Sequence, residues 1–204
     1  MKNTLIVISS NREMEPQTRD SVQALCSAGA QLLLERGSAC VTFARCRALS
    51  LACEHLRGAF AERDVVLMLD DDMIVPLEAA QAVVDAARSS GTPHAAAYAT
   101  VVKRLAAARW DGHPGLWRTG LGCVAIPKAK LFELEERSES FEMNGKAYTA
   151  FTSAGAHRGV WMGEDFRLCE NLGGVRLLPI AVGHVKKWPL WPDQATLDNI
   201  AKDP

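Results

Sequence analysis

Apolar residues along this chain come in short continuous runs separated by longer amphipathic stretches, with turn residues at the joins. Residues 4–9 are a β-branched run emptying into Ser9-Ser10-Asn11, which predicts a buried strand followed by a polar loop. Pro16 and Thr18 open a stretch in which Val22, Leu25, Cys26, Gly29, Leu32 and Leu33 recur at helical spacing. A helix is therefore expected over 19–36, closed by Gly37. Residues 38–44 read as a second strand, 45–61 as a helix, and 64–69 as a third strand buried on both faces that runs straight into Asp70-Asp71-Asp72.

The alternation continues with an Ala-rich helix over 77–89, set between Pro76 and Gly91, and a strand over 94–102. Periodicity fails over 103–122, where Trp, Gly, Arg, His and Pro accumulate, which predicts a long loop of the kind that carries function. Beyond it lie a strand at 122–126, a helix at 128–136, a hairpin at Asn144-Gly145, a short helix at 164–172 and a last apolar strand at 175–182 leading to Gly183-His184. Strands alternating with helices predict an α/β fold with a mostly parallel central sheet flanked by helices. With 204 residues and no repeat or linker, one domain over 1–188 is expected, followed by a tail, 189–204, that wraps the surface.

Composition narrows the class. Hydrophobic residues make up 48% and charged residues 23%, which excludes disordered, collagenous and coiled-coil chains. Lys plus Arg number 23 against 24 Asp plus Glu, so no global positive field points to nucleic acid or a membrane, although a local patch stays open. The six cysteines form no C-x-x-C pair and read as small reduced core residues, which favours a reducing compartment and a cytoplasmic location. No apolar run has membrane-spanning length, and the run at 5–8 lacks the cleavage site of a signal peptide.

Three carboxylates at the end of a buried strand repel one another, and a divalent cation is the simplest remedy. Hard oxygen ligands suit Mg²⁺ or Mn²⁺, which bridge to substrate phosphates; the bland alternative is a solvated turn ahead of Pro76. His184 follows an apolar strand and a glycine, a place from which an imidazole can reach a metal. Glu164-Asp165, on its residues alone, is a helix start whose charge suits the dipole. Trp161, three residues earlier, has a flat face that suits stacking on a ligand, against core packing as the commoner use, and Trp188 and Trp191 are expected as tail anchors. Arg104, Arg109, Arg118, Lys186 and Lys187 are candidates for phosphate contacts, against surface charge.

The segment DVVLMLDDDMIVP resembles the strand and metal motif of nucleotide-sugar glycosyltransferases of the GT-A fold, with Asp70 and Asp72 matching its Asp-x-Asp. ARCRALSLACEHL resembles the Arg-containing helix before that strand, with Cys46 where an Asn is expected. GLGCVAIPKAKL resembles the strand and helix behind the acceptor site, WMGEDFRLCENL the Glu-Asp helix, and LLPIAVGHVKK the terminal strand with its metal-binding His. The resemblance covers most of 4–188 and implies a single-domain, family 2-like, Rossmann-like GT-A enzyme. It implies metal-dependent, inverting transfer of a sugar from a UDP- or GDP-type nucleotide-diphosphate sugar to an acceptor hydroxyl.

In that scheme Asp70, Asp72 and His184 hold Mn²⁺ or Mg²⁺, and Asp165, or alternatively Glu164, is the general base. Ser9, Ser10, Arg45, Asp70, Asp71 and Lys186 would face the donor. The acceptor stays open: a glycan, lipid, protein, small molecule or, less in keeping with the charge, a modified DNA base. Two other readings compete. An apolar strand ending in Asp-x-Asp also opens haloacid-dehalogenase-like phosphohydrolases, with Asp70 as nucleophile, although that motif normally lies on the first strand. The third is a non-catalytic protein that binds nucleotide sugars or glycans.

Overall fold

The apolar runs at 4–9 and 64–69 become strands covered on both faces, and amphipathic helices do the covering. The computed structural model describes residues 1–10, 12–36, 40–99, 105–157, 159–185 and 189–202. The chain runs through β1 (Thr4–Ser10), α1 (Pro16–Ser27), β2 (Gln31–Arg36), α2 (Val41–Arg57), β3 (Val65–Leu69), the short β4 (Met73–Ile74), α3 (Leu77–Ser90) and β5 (His94–Ala97). A hairpin of β6 (Ala107–Arg109) and β7 (Trp117–Thr119) leads to β8 (Cys123–Pro127) and α4 (Lys128–Arg137). Two further hairpins follow, β9 (Ser140–Met143) with β10 (Lys146–Thr149), and β11 (Gly155–His157) with β12 (Val160–Met162). Next come α5 (Glu164–Asn171), β13 (Arg176–Ala181), β14 (Gly183–Val185), β15 (Pro189–Leu190) and α6 (Gln194–Ala201).

The central sheet has the order β13-β5-β8-β3-β1-β2 and is parallel except for β8, which runs antiparallel to β3 and β5. Alternation along the strands splits the core in two. Leu5, Val7, Val66, Met68, Val124 and Ile126 pack with α2 and α4, whereas Ile6, Ile8, Leu67, Leu69 and Ala125 pack with α1 and α3. The fold is thus mixed α/β, with a mostly parallel sheet flanked by helices on both faces. Among the described residues no helix is long and apolar enough to cross a membrane. Cys46, Cys53, Cys123 and Cys169 are buried.

Several boundaries depart from the sequence expectation. The first helix stops at Ser27 instead of Arg36, because Gly29 adopts φ 98° and Gln31–Arg36 pairs with β1 from Leu5↔Gln31 to Ser10↔Arg36. Leu32, Leu33 and Leu34 satisfy a strand and a helix equally well, and only the neighbouring strand decides between them. The strand expected over 38–44 is replaced by the start of α2 at Val41; Ala44, Arg45 and Cys46 are buried, and that packing overrides β-branched propensity. Residues 37–39 lie outside the described residues. The strand expected over 94–102 is described as β5, four residues long, with 100–102 outside the described part.

The expected loop at 103–122 contains the β6–β7 hairpin. The turn at Asn144-Gly145 is present, with φ of 52° and 72°. Residues of the expected tail do more than wrap the surface: β15 pairs with β14, and α6 sets Ile200 into the core cluster of α2 and α4.

Candidate functional site

Asp70, Asp71 and Asp72 leave the end of β3 at the carboxyl edge of the sheet, where open α/β sheets place ligands. Asp72 meets His184 because β4 and β14 pair antiparallel, with Met73 opposite His184 and the Val185 N–H donating to the Asp72 carbonyl at 2.7 Å. Asp72 Oδ1 then lies 3.4 Å from His184 Nε2, with only 8% of the carboxylate side chain exposed. On its other side His184 Nδ1 is 3.2 Å from the Ala99 carbonyl oxygen. A carbonyl can only accept, so Nδ1 carries the hydrogen, and Nε2 faces a second acceptor, Asp72. Nε2 can meet that acceptor as a protonated imidazolium, or as a lone pair that shares a cation with the carboxylate.

Arg45 gathers the acids on the other side. Its side chain is 5% exposed, and Nη2 donates to Asp70 Oδ1 at 2.9 Å while Nη1 donates to Glu164 Oε1 at 2.7 Å. Asp165 Oδ1 is in ion-pair contact with the same Nη1. Burial acts to lower the guanidinium's affinity for its proton, but the charges of Asp70 and Glu164 outweigh it and the pKa is raised. α5 begins at Glu164 after the extended Gly163, so its first turn carries both acids to Arg45, and Thr152 Oγ1 pins the Glu164 carbonyl at 2.5 Å.

A second arginine closes the outer side. Arg12 Nη2 lies 3.0 Å from both Asp71 Oδ1 and Asp72 Oδ2, and Nε 3.3 Å from Asp71 Oδ2. Ser10 Oγ donates its one proton to Asp71 Oδ2 at 2.5 Å and accepts the Arg12 N–H at 3.2 Å, so the loop after β1 is buckled to the acid it serves. The Asp71 hydrogen bond raises the Arg12 pKa. Half of its side chain is exposed.

The expected trio of Asp70, Asp72 and His184 is therefore divided: Asp72 and His184 are together, whereas Asp70 is turned to Arg45. Among the described residues no group of three or more His, Cys, Asp or Glu side chains could hold a metal ion. Asp71 and Ser10 are joined to each other, Ser9 precedes Ser10 in β1 and so belongs to the other face of the strand, and Arg45 is bound to three carboxylates. Gly183, expected to let the backbone near a metal, instead makes room for the tail: a Cβ there would stand 2.8 Å from the Trp191 indole. Trp161 is 76% exposed on the β11–β12 hairpin, just before α5. Arg118 is spent on Glu170 at 3.5 Å and Arg109 lies over the Trp117 ring. Lys186, Lys187, Trp188 and Arg104 fall outside the described residues.

Two site residues escaped the sequence reading. Arg12 carries no motif; its only signal is a cation just past the first strand in a chain whose acid triplet needs cations. Tyr98 follows β5, is 6% exposed, and stands edge-on to the His184 ring at 5.4 Å. Burial, then the Asp70 charge, pushes its phenol pKa up. Gly122 exists for this ring, since a Cβ there would be 2.8 Å from Tyr98 Cε1 and 2.9 Å from Met73 Sδ.

No protein-family profile matches the chain, and no curated protein does. Among solved structures it is similar to A197 from STIV, with a TM-score of 0.61, 16% sequence identity and 95% of each chain covered. The two chains share a fold. At that identity the likeness speaks of architecture alone, so the chemistry rests on the side chains at the sheet's carboxyl edge.

Proposed function

We propose that the chain is a metal-dependent glycosyltransferase with a GT-A domain, moving a sugar from a nucleoside-diphosphate sugar to an acceptor hydroxyl with inversion. The observation that carries this reading is the Asp72–His184 pair, 3.4 Å apart, with the imidazole oriented by the Ala99 carbonyl. That pairing of a carboxylate and an oriented ring nitrogen fits Mn²⁺ or Mg²⁺, which need few protein ligands when substrate phosphates and water complete the shell. Asp72 and His184 would hold the ion. When bound, the ion neutralises charge on the departing diphosphate.

In this reading the other groups serve the same reaction. Asp165 would accept the acceptor proton through Oδ2, with Oδ1 against Arg45 fixing the carboxylate's orientation. Glu164, hydrogen-bonded to Arg45 and pinned through its carbonyl, would brace α5. Ser9, Ser10 and Asp71 would face the nucleotide on the β1 side, by the carboxyl-edge rule. Trp161 would lend a flat apolar face to the acceptor. The phosphohydrolase reading needs Asp70 as a free nucleophile, whereas buried Arg45 holds it.

Calorimetric titration of UDP and GDP with and without Mn²⁺ tests the proposal. Wild type is expected to bind one of them more tightly with Mn²⁺, and Asp72→Asn to lose that metal dependence. Equal metal dependence in both proteins would remove Asp72 from the site. Binding without hydrolysis of any donor sugar would favour the non-catalytic protein.

A further inference from the structure

We propose that Arg12 is a built-in counter-cation of this site, one that competes with the divalent ion for Asp72 and then holds the diphosphate that arrives with it. The proposal rests on the glycosyltransferase reading for the identity of the ligands, and on the geometry of Arg12 for everything else.

The guanidinium divides its bonds unequally. Asp71 receives two of them, from Nε and Nη2 onto its two oxygens, which is the fork geometry that fixes an arginine in one plane. Asp72 receives one, from the same Nη2 at 3.0 Å. The Asp71 carboxylate is itself held by Ser10 Oγ at 2.5 Å, so the Asp71–Arg12 unit is anchored to the end of β1 independently of Asp72. Losing the single Asp72 bond would leave that anchor intact. Nη1 makes no bond among the described residues, and the side chain is half exposed, so two N–H donors remain for an incoming anion.

Charge then couples the two ligands. Arg12 places a positive charge 3.0 Å from Asp72 Oδ2, and His184 Nε2 sits 3.4 Å from Oδ1 of the same carboxylate. A dication binding to Asp72 meets like charge at hydrogen-bond range from the guanidinium, so metal alone must displace the Arg12 contact. A diphosphate reverses the sign of the effect, because it places negative charge between the two cations and turns their repulsion into shared attraction. Arg12 therefore opposes the bare metal and favours the metal and diphosphate together, which makes donor and metal binding mutually dependent.

Arg12→Ala separates the two effects in one pair of titrations, using Mn²⁺ alone and then UDP or GDP, whichever wild type binds, at saturating Mn²⁺. Mn²⁺ affinity in the absence of nucleotide should rise by about two- to fivefold, the scale of one half-exposed ion pair. Nucleotide affinity should fall by about tenfold or more, the scale of a lost charge-assisted bond to phosphate. Arg12→Lys keeps the charge without the fork, so Mn²⁺ affinity should stay near wild type while nucleotide affinity falls by less than in Arg12→Ala. A thermal melt of each variant confirms that the fold is kept. Unchanged Mn²⁺ affinity in Arg12→Ala overturns the competition, and unchanged nucleotide affinity overturns the diphosphate role, with the glycosyltransferase reading intact in both cases. A wild type that binds neither Mn²⁺ nor nucleotide overturns both readings together.

Discussion

The two arginines of the site do the same electrostatic job in opposite surroundings. Arg45 is 5% exposed and neutralises Asp70, Glu164 and Asp165, which come from two distant segments of chain. Arg12 is half exposed and neutralises Asp71 and Asp72, which are adjacent. A buried cation surrounded by acids is a structural commitment, since removing it leaves three partly buried carboxylates crowded together without their counter-charge. An exposed cation on a short loop gives up its partners at little cost, because solvent replaces them. One arginine therefore builds the site, and the other is able to respond to what enters it.

Removing each arginine gives the largest expected effect and the most direct attack on that contrast. Arg45→Met should destabilise the fold by about 3–5 kcal/mol, as for breaking a buried ion pair from one side. That corresponds to a fall in Tm of about 6–20 °C for a domain of this size. Arg12→Met should cost about 1 kcal/mol or less. Chemical denaturation of the two variants side by side checks this, and equal losses would erase the distinction between builder and responder.

Asp165 sharpens the comparison, since it is both a partner of Arg45 and the proposed base. Asp165→Asn keeps the side chain's size while removing its basicity, so turnover should fall by about 10²-fold or more with nucleotide affinity kept. NMR of the product's anomeric proton should show inversion in wild type. Near-normal turnover, or retained configuration, would return Asp165 to a purely structural place beside Arg45.

The smallest effect is a control on pH. His94, at the start of β5 and away from both arginines, has its pKa lowered from 6.5 by burial and by Arg176, against a hydrogen bond to the Thr92 carbonyl that raises it. The folded state thus resists protonation that the unfolded chain accepts. Its contribution is fully present above about pH 6.5 and is lost as pH falls from there towards the folded pKa. His94→Gln should flatten that part of the stability curve in urea titrations. A curve that keeps its slope would shift attention to the acidic clusters themselves.

Much of this molecule was legible from residue pattern alone. The runs at 4–9 and 64–69, apolar on both faces, could only be interior strands of a covered sheet, and they became β1 and β3. The Asp triplet and Glu164-Asp165 stood out because carboxylates at element ends demand compensation, and both lie at one edge of the sheet. What the pattern could not decide were the choices made by neighbours. Leu32-Leu33-Leu34 became strand because β1 offered an unpaired edge, and Val41–Ala44 became helix because the sheet offered a face to bury. Compensation was decided in the same way. An acid triplet announces that cations must come, but which arginines come depends on contacts 25 to 60 residues apart in the chain. Arg45, Arg12 and His184 reach the acids only through helix packing, a buckled loop and the pairing of β4 with β14. Local sequence sets the need for charge balance because desolvation and repulsion act on each residue where it stands, whereas only the folded chain brings the balancing charge within reach.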